Sequence, residues 1–198
     1  MDNQTRSENT RKKAIEAALT ILTREGVGGL TFDSLSRESG ISKGGLLHQF
    51  RTKDGVLKAL LDHQRQQFEA IAHAHMAKGG ATKTEPCLSS QIAIYRESVK
   101  QPHSVARAVL AALAENPELL ADFKATDVER MKKLREESSD IELSLLRYFA
   151  ASGLAFNSLL GLSPLPDSMM NRLFDRLLDE AAWASQKQPA KTRKKAAS

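Results

Sequence analysis

Residues 31–50 read TFDSLSRESGISKGGLLHQF. Thr31 stands where its hydroxyl can cap a short helix, Asp33 suits the positive end of that helix's dipole, and Phe32 and Leu35 face inward before Gly40 ends it. Ser42 can then cap a second short helix, running from about Lys43 to Gln49 with Leu46 and Phe50 as anchors. Two short helices joined by a Gly-Ile-Ser turn fill the span of a helix-turn-helix. Such pairs occur in many proteins, so the flanking residues decide the reading.

Upstream, Ile15, Ala18, Leu19 and Leu22 follow the i, i+3, i+4, i+7 spacing of one apolar helix stripe, and Gly26, Gly28 and Gly29 stop that helix near Glu25. Downstream, Thr52 is placed to cap a long helix from Lys53, on which Val56, Leu57, Leu60, Leu61, Phe68 and Ile71 continue the apolar face. With these flanks the chain resembles the TetR family of regulators. The resemblance lies in the spacing of Ile15, Ala17-Ala18 and Leu22, then Gly26, Leu30-Thr31, Gly40-Ile41-Ser42-Lys43-Gly44, Leu46, Phe50 and Lys53, over about residues 10–62. It implies an all-α protein of about nine helices, with a helix-turn-helix head over 1–52 and a helical ligand-binding and dimerisation domain over 53–186. It also implies a homodimer that binds an inverted repeat in double-stranded operator DNA as a repressor, released by a small-molecule effector, with no cofactor.

A recognition helix enters the major groove N-terminus first, so Lys43 is placed to reach a guanine edge or a phosphate. Ser42, Gly44, Gly45, Leu47, His48 and Gln49 complete the expected DNA-binding set on this helix, with Thr31 and Lys53 at positions matching the family's phosphate contacts. Gly44 and Gly45 each cost ~1 kcal/mol of helix propensity relative to alanine, which suits a backbone that must come close to DNA and equally a flexible helix start. His48 and Gln49 can hydrogen-bond phosphates or base edges, or remain neutral surface. Leu47 is a departure, since family members often carry an aromatic residue there or beside it; a leucine can contact a thymine methyl or merely pack. Arg6, Arg11, Lys12 and Lys13 resemble the family's basic leader, with a solvated start as the alternative.

Beyond a small and polar stretch from Lys78 to Glu85, periodicity predicts helices over 86–100, 104–115 and 117–137, with Pro102 and Pro117 marking starts. Asp140 begins the most apolar helix. In Ile141 to Leu162, apolar residues fall nearly all round, more than a monomer readily covers. The segments Ala151-Ser152-Gly153-Leu154 and Leu159 to Leu165 resemble the penultimate helix of one TetR subgroup. A last helix carries Met170, Leu173, Phe174, Leu177, Leu178 and Ala181 on one broad stripe. Two helices from each subunit would form a four-helix interface of Leu145, Leu146, Phe149, Leu159, Leu160, Met170, Leu173, Phe174, Leu177 and Leu178, unless they complete a monomeric core. Tyr95, Phe123, Phe149 and Phe156 are the candidate pocket lining, with plain core as the alternative.

Composition bounds the rest. The chain has 198 residues, 41% hydrophobic, enough for a sizeable core, and a single cysteine, Cys87, excludes an internal disulfide framework. The net charge of +5 is matched by five cations in the tail, Lys187, Lys191, Arg193, Lys194 and Lys195, so charge alone decides little; residues 187–198 read as a basic disordered tail. A polar start and the interrupted apolar stretch predict a cytoplasmic protein with no membrane partner. The five histidines show no metal-ligand spacing, and phosphate-cradling loops and nucleophile elbows are absent, so no enzyme is indicated. A helical ligand-binding protein that has lost DNA binding, or a dimeric adaptor, would keep the bundle.

Overall fold

The computed structural model describes residues 3–100, 110 and 117–184, and within these the side chains of 3–4 and 119–123 are outside the description. The helix expected over 104–115, the Phe123 side chain and the tail from Lys187 therefore lie outside the described residues. The described helices are α1 (Asn3–Gly29), α2 (Phe32–Ser39), α3 (Lys43–Phe50), α4 (Lys53–Ala77), α5 (Pro86–Ser98), α6 (Ala121–Glu137), α7 (Ile141–Leu159), α8 (Asp167–Leu178) and α9 (Glu180–Ala184). Single 3₁₀ turns occupy Gly80–Thr82 and Pro117–Leu120. An all-α protein is what the periodicity and the family resemblance predicted.

Gly26, at φ 70° and ψ −169°, breaks α1 where the glycines predicted its end, and a last turn continues beyond it. The N-terminal cations are on this helix rather than on a loose leader. Arg11 lies 5.9 Å from the centre of the Phe50 ring and 3.7 Å from the Asp62 carboxylate. The first core gathers Ala14, Ala18, Ile21 and Leu22 from α1, Leu35 from α2, Leu46 and Phe50 from α3, and Val56, Leu57 and Leu60 from α4. It thus runs past the division expected at residue 52, because α4 is one unbroken helix whose N-terminal half belongs to the head.

The second core is built on α5, which packs against α4, α6, α7 and α8. Leu88 and Ile92 of α5 meet Leu134, Tyr148 and Ala151, together with Met170, Phe174 and Leu177 of α8. This corrects part of the expected dimer surface: Met170, Phe174 and Leu177 are buried inside the protomer, because the strongest face of α8 turns onto α5. The last helix is also shorter than its stripe suggested. Asp179, at ψ 99°, separates α8 from α9, so Ala181 does not continue the face of Leu177.

A buried ion pair ties these parts together. Arg147 of α7 is 4% exposed; its Nη1 donates to Glu85 Oε2 at 2.8 Å, while Nε and Nη2 donate to the Leu177 carbonyl at 3.2 and 2.8 Å. Its guanidinium carbon stands 5.8 Å from the Trp183 ring centre, and the Ser144 hydroxyl donates to Glu85. Each of the three guanidinium nitrogens has a partner, as a buried charge requires. Among the described residues no helix is long and apolar enough to cross a membrane.

Candidate nucleic-acid interface

The α2–α3 pair is held by serines as much as by its apolar anchors. Thr31 Oγ1 accepts from the Ser34 amide at 3.0 Å, and Ser34 Oγ accepts from the Thr31 amide at 3.0 Å while donating to the Gly29 carbonyl at 2.7 Å. This reciprocal arrangement is a capping box with serine at the third position. Gly40 takes the left-handed conformation, φ 69°, and its amide donates to the Ser36 carbonyl at 3.0 Å. Ser36 Oγ donates to the Ile41 carbonyl and Ser39 Oγ to the Leu35 carbonyl, each at 2.6 Å. The turn thus has its polar groups satisfied from within, and α3 is fixed relative to α2. Ser34, Ser36 and Ser39 were missed by sequence reasoning; the Thr31–Ser34 spacing was the available signal.

At α3, Ser42 Oγ accepts from the Gly45 amide at 3.2 Å. Leu46 and Phe50 are buried, and a Cβ at Gly45 would lie 3.3 Å from Ile41 and Ser42, so that side of the helix faces the head. Lys43, Gly44, Leu47 and His48 share the opposite, exposed face, with Ser42 beside them. At Gly44 an added Cβ would meet nothing within 4 Å. Gln49 is half-buried, and its Oε1 accepts from Ser7 Oγ of α1 at 3.3 Å. Lys43 Nζ is paired with Asp33 of α2.

Two expected phosphate contacts are engaged elsewhere. Thr31 is exposed, but its amide and hydroxyl are both bonded to Ser34. Lys53 turns its ammonium onto the Val27 carbonyl at 2.8 Å, tying the start of α4 to the last turn of α1. The structure therefore gathers four of the expected residues on one face, orients Gly45 inward and gives Thr31 and Lys53 structural partners. Exposed Arg51, at φ 62°, ends α3 and was not singled out by the sequence.

Of the expected pocket residues, the three whose side chains are described, Tyr95, Phe149 and Phe156, are not brought together. Tyr95 donates its hydroxyl to Tyr148 at 3.0 Å, with the rings edge-on at 5.8 Å, and burial followed by this hydrogen bond pushes its phenol well above the usual range. Phe149 and Phe156 are instead 62% and 52% exposed, so they line no interior cavity of the protomer. A depression of about 570 Å³ lies beside α6, bounded by Asp127, Val128, Met131, Lys132, Arg135 and Glu136. Tyr95, Phe149 and Phe156 are not among its described lining residues. Among the described residues no group of three or more His, Cys, Asp or Glu side chains could hold a metal ion.

Comparison with known proteins places both parts of the chain. Residues 14–60 match the family described as bacterial regulatory proteins, tetR family, and residues 87–182 match the tetracyclin repressor-like C-terminal domain. The HTH-type transcriptional regulator SrpR of Pseudomonas putida is 33% identical over 63 residues, a stretch that spans 32% of this chain and 30% of SrpR. A solved TetR-family member from Streptomyces coelicolor A3 superposes with a TM-score of 0.63 at 19% identity, over 86% of this chain and 98% of that one. The multidrug binding protein EbrR complexed with ethidium superposes with a TM-score of 0.57 at 19% identity, over 85% and 97% of the two chains.

Proposed function

The chain belongs to the TetR family of regulators, and on that premise we propose that it is a cytoplasmic transcriptional repressor that reads operator DNA through α3. The observation that carries the proposal is the exposed face of Lys43, Gly44, Leu47 and His48 on a helix fixed by the capped α2–α3 turn. A short helix packed on one side and solvent-exposed on the other has the shape that enters a major groove, with its first turn nearest the base edges. A homodimer would set two such helices in successive grooves about 34 Å apart, on the two arms of an inverted repeat.

Leu146, Phe149 and Phe156, spaced along α7 and more than half exposed, support a self-complementary apolar surface for the second copy. Leu145, Leu159, Leu160, Leu173 and Leu178, all partly exposed, border it. The body would hold a small-molecule effector that binds the released conformation more tightly and so lowers operator affinity. The likeness to EbrR, whose complex contains ethidium, supports a body of this fold as a ligand holder. Tyr95 stays a candidate contact for that ligand.

Selection and sequencing of random duplexes bound at near-physiological salt tests the proposal, because nonspecific phosphate attraction is weakened there while base readout persists. An enriched inverted repeat is expected. Failure to enrich any motif, with and without candidate effectors, would turn the reading toward a helical ligand-binding protein without specific DNA recognition.

A further inference from the structure

The exposed face of α3 is chemically divided. Lys43 and His48 can donate hydrogen bonds, whereas Gly44 and Leu47 between them cannot use a side chain to do so. These two are three residues apart and therefore neighbours on the helix surface. Leu47 is 40% exposed while the adjacent Leu46 is fully buried, so the head is packed without Leu47. In front of Gly44 the space is open, and no Cβ stands between the backbone and whatever approaches. The middle of the recognition face is thus a low, apolar strip. Its side chains can discriminate only by shape and apolar contact.

Along the base edges of the major groove, the apolar group is the 5-methyl of thymine. We propose that Leu47 reads a thymine 5-methyl group in each half-site, with Gly44 letting the α3 backbone close on that base step. The inference rests on the DNA-reading function proposed above and adds the chemical feature recognised at one position. Lys43 is left for a guanine or phosphate at the rim of the same contact.

The test replaces each thymine of the selected operator in turn by deoxyuridine, which keeps every hydrogen-bonding group and removes only the methyl. Binding to wild-type protein is expected to weaken about fourfold at one symmetry-related position per half-site, and roughly fifteenfold when both are changed, the worth of one buried carbon each. Leu47→Ala, at an exposed site, should fold normally and bind the thymine and deoxyuridine operators alike. Gly44→Ala should keep the fold yet weaken binding to both. If wild-type protein binds its repeat equally well with deoxyuridine throughout, or if the same methyl dependence survives Leu47→Ala, the thymine contact is wrong while DNA reading stands. If no repeat is selected at all, the underlying function is wrong and this inference falls with it.

Discussion

Lys43 Nζ lies 2.8 Å from Asp33 Oδ1 and 3.1 Å from Oδ2, so the first cation of α3 is held across the turn by the first turn of α2. Both partners are more than half exposed. A phosphate or guanine must displace the Asp33 carboxylate before Lys43 can reach DNA, and Asp33 itself repels a nearby phosphate. Asp33→Asn should therefore bind nonspecific duplex more tightly, by about two- to fivefold at low salt, given the small worth of exposed pairs. Specific binding should gain less, narrowing discrimination. Anisotropy titrations on operator and scrambled duplexes over a salt series check this.

Gly55 and Gly44 should respond oppositely to alanine. An added Cβ at Gly55 would stand 2.0 Å from the Phe50 carbonyl oxygen, where the end of α3 meets the first turn of α4. Gly55→Ala must push these backbones apart and should destabilise the protein by about 1–3 kcal/mol. Gly44→Ala fills empty space and removes a helix-propensity penalty, so it should be neutral or stabilising. Thermal melts of the two variants beside wild type separate these outcomes.

The Arg147–Glu85 pair is buried, and burial lowers the Arg147 pKa more than the Glu85 charge restores it. Glu85→Ala should leave the guanidinium with the Leu177 carbonyl and only the weaker influence of the Glu180 charge, costing about 3–5 kcal/mol. Replacing both residues, Glu85→Leu with Arg147→Met, should recover much of that loss. Urea unfolding of the single and double variants gives the coupling directly.

His75 adds a pH dependence. Its Nε2 meets Ser89 Oγ at 2.7 Å, and burial, then the Lys83 charge, holds the imidazole below its ordinary value of 6.5. The unfolded chain therefore takes up this proton first as the pH falls. The contribution to stability is complete above about pH 6.5 and is lost progressively from there down to the lowered folded value. His75→Gln should flatten that part of the profile. Urea midpoints of wild type and variant at pH values from about 5 to 8 read the difference.

Helix limits were legible because their determinants are local: Thr31, Ser42 and Thr52 each cap the helix they precede, and Gly40 ends α2. The exposed face of α3 could be read for the same reason. What periodicity could not supply was the identity of the neighbour. The stripe of α8 marked Met170, Phe174 and Leu177 for burial, yet only packing shows that they are buried against the protomer's own core. On α7, apolar on nearly every side, Arg147 was the signal for orientation, but a lone arginine ordinarily suggests the solvent side; its buried partner Glu85 lies far away in sequence. The aromatic residues Phe149 and Phe156 were assigned to a pocket on residue type alone, and the turn of α7 puts them outside. Lys53 was assigned to phosphate by position, whereas its ammonium donates to the Val27 carbonyl near the end of α1, which also accepts from the Leu30 amide.

In the proposed dimer, two copies of α3 read one face of DNA together. Inserting five base pairs between the arms of the selected repeat rotates one arm by about half a helical turn relative to the other, leaving each arm's bases intact. Binding of the wild-type protein should fall to that of a single arm, and inserting about ten base pairs should not restore it unless the body can stretch. Undiminished affinity after the five-base-pair insertion would mean that each head reads its arm independently of the other and that paired reading is wrong.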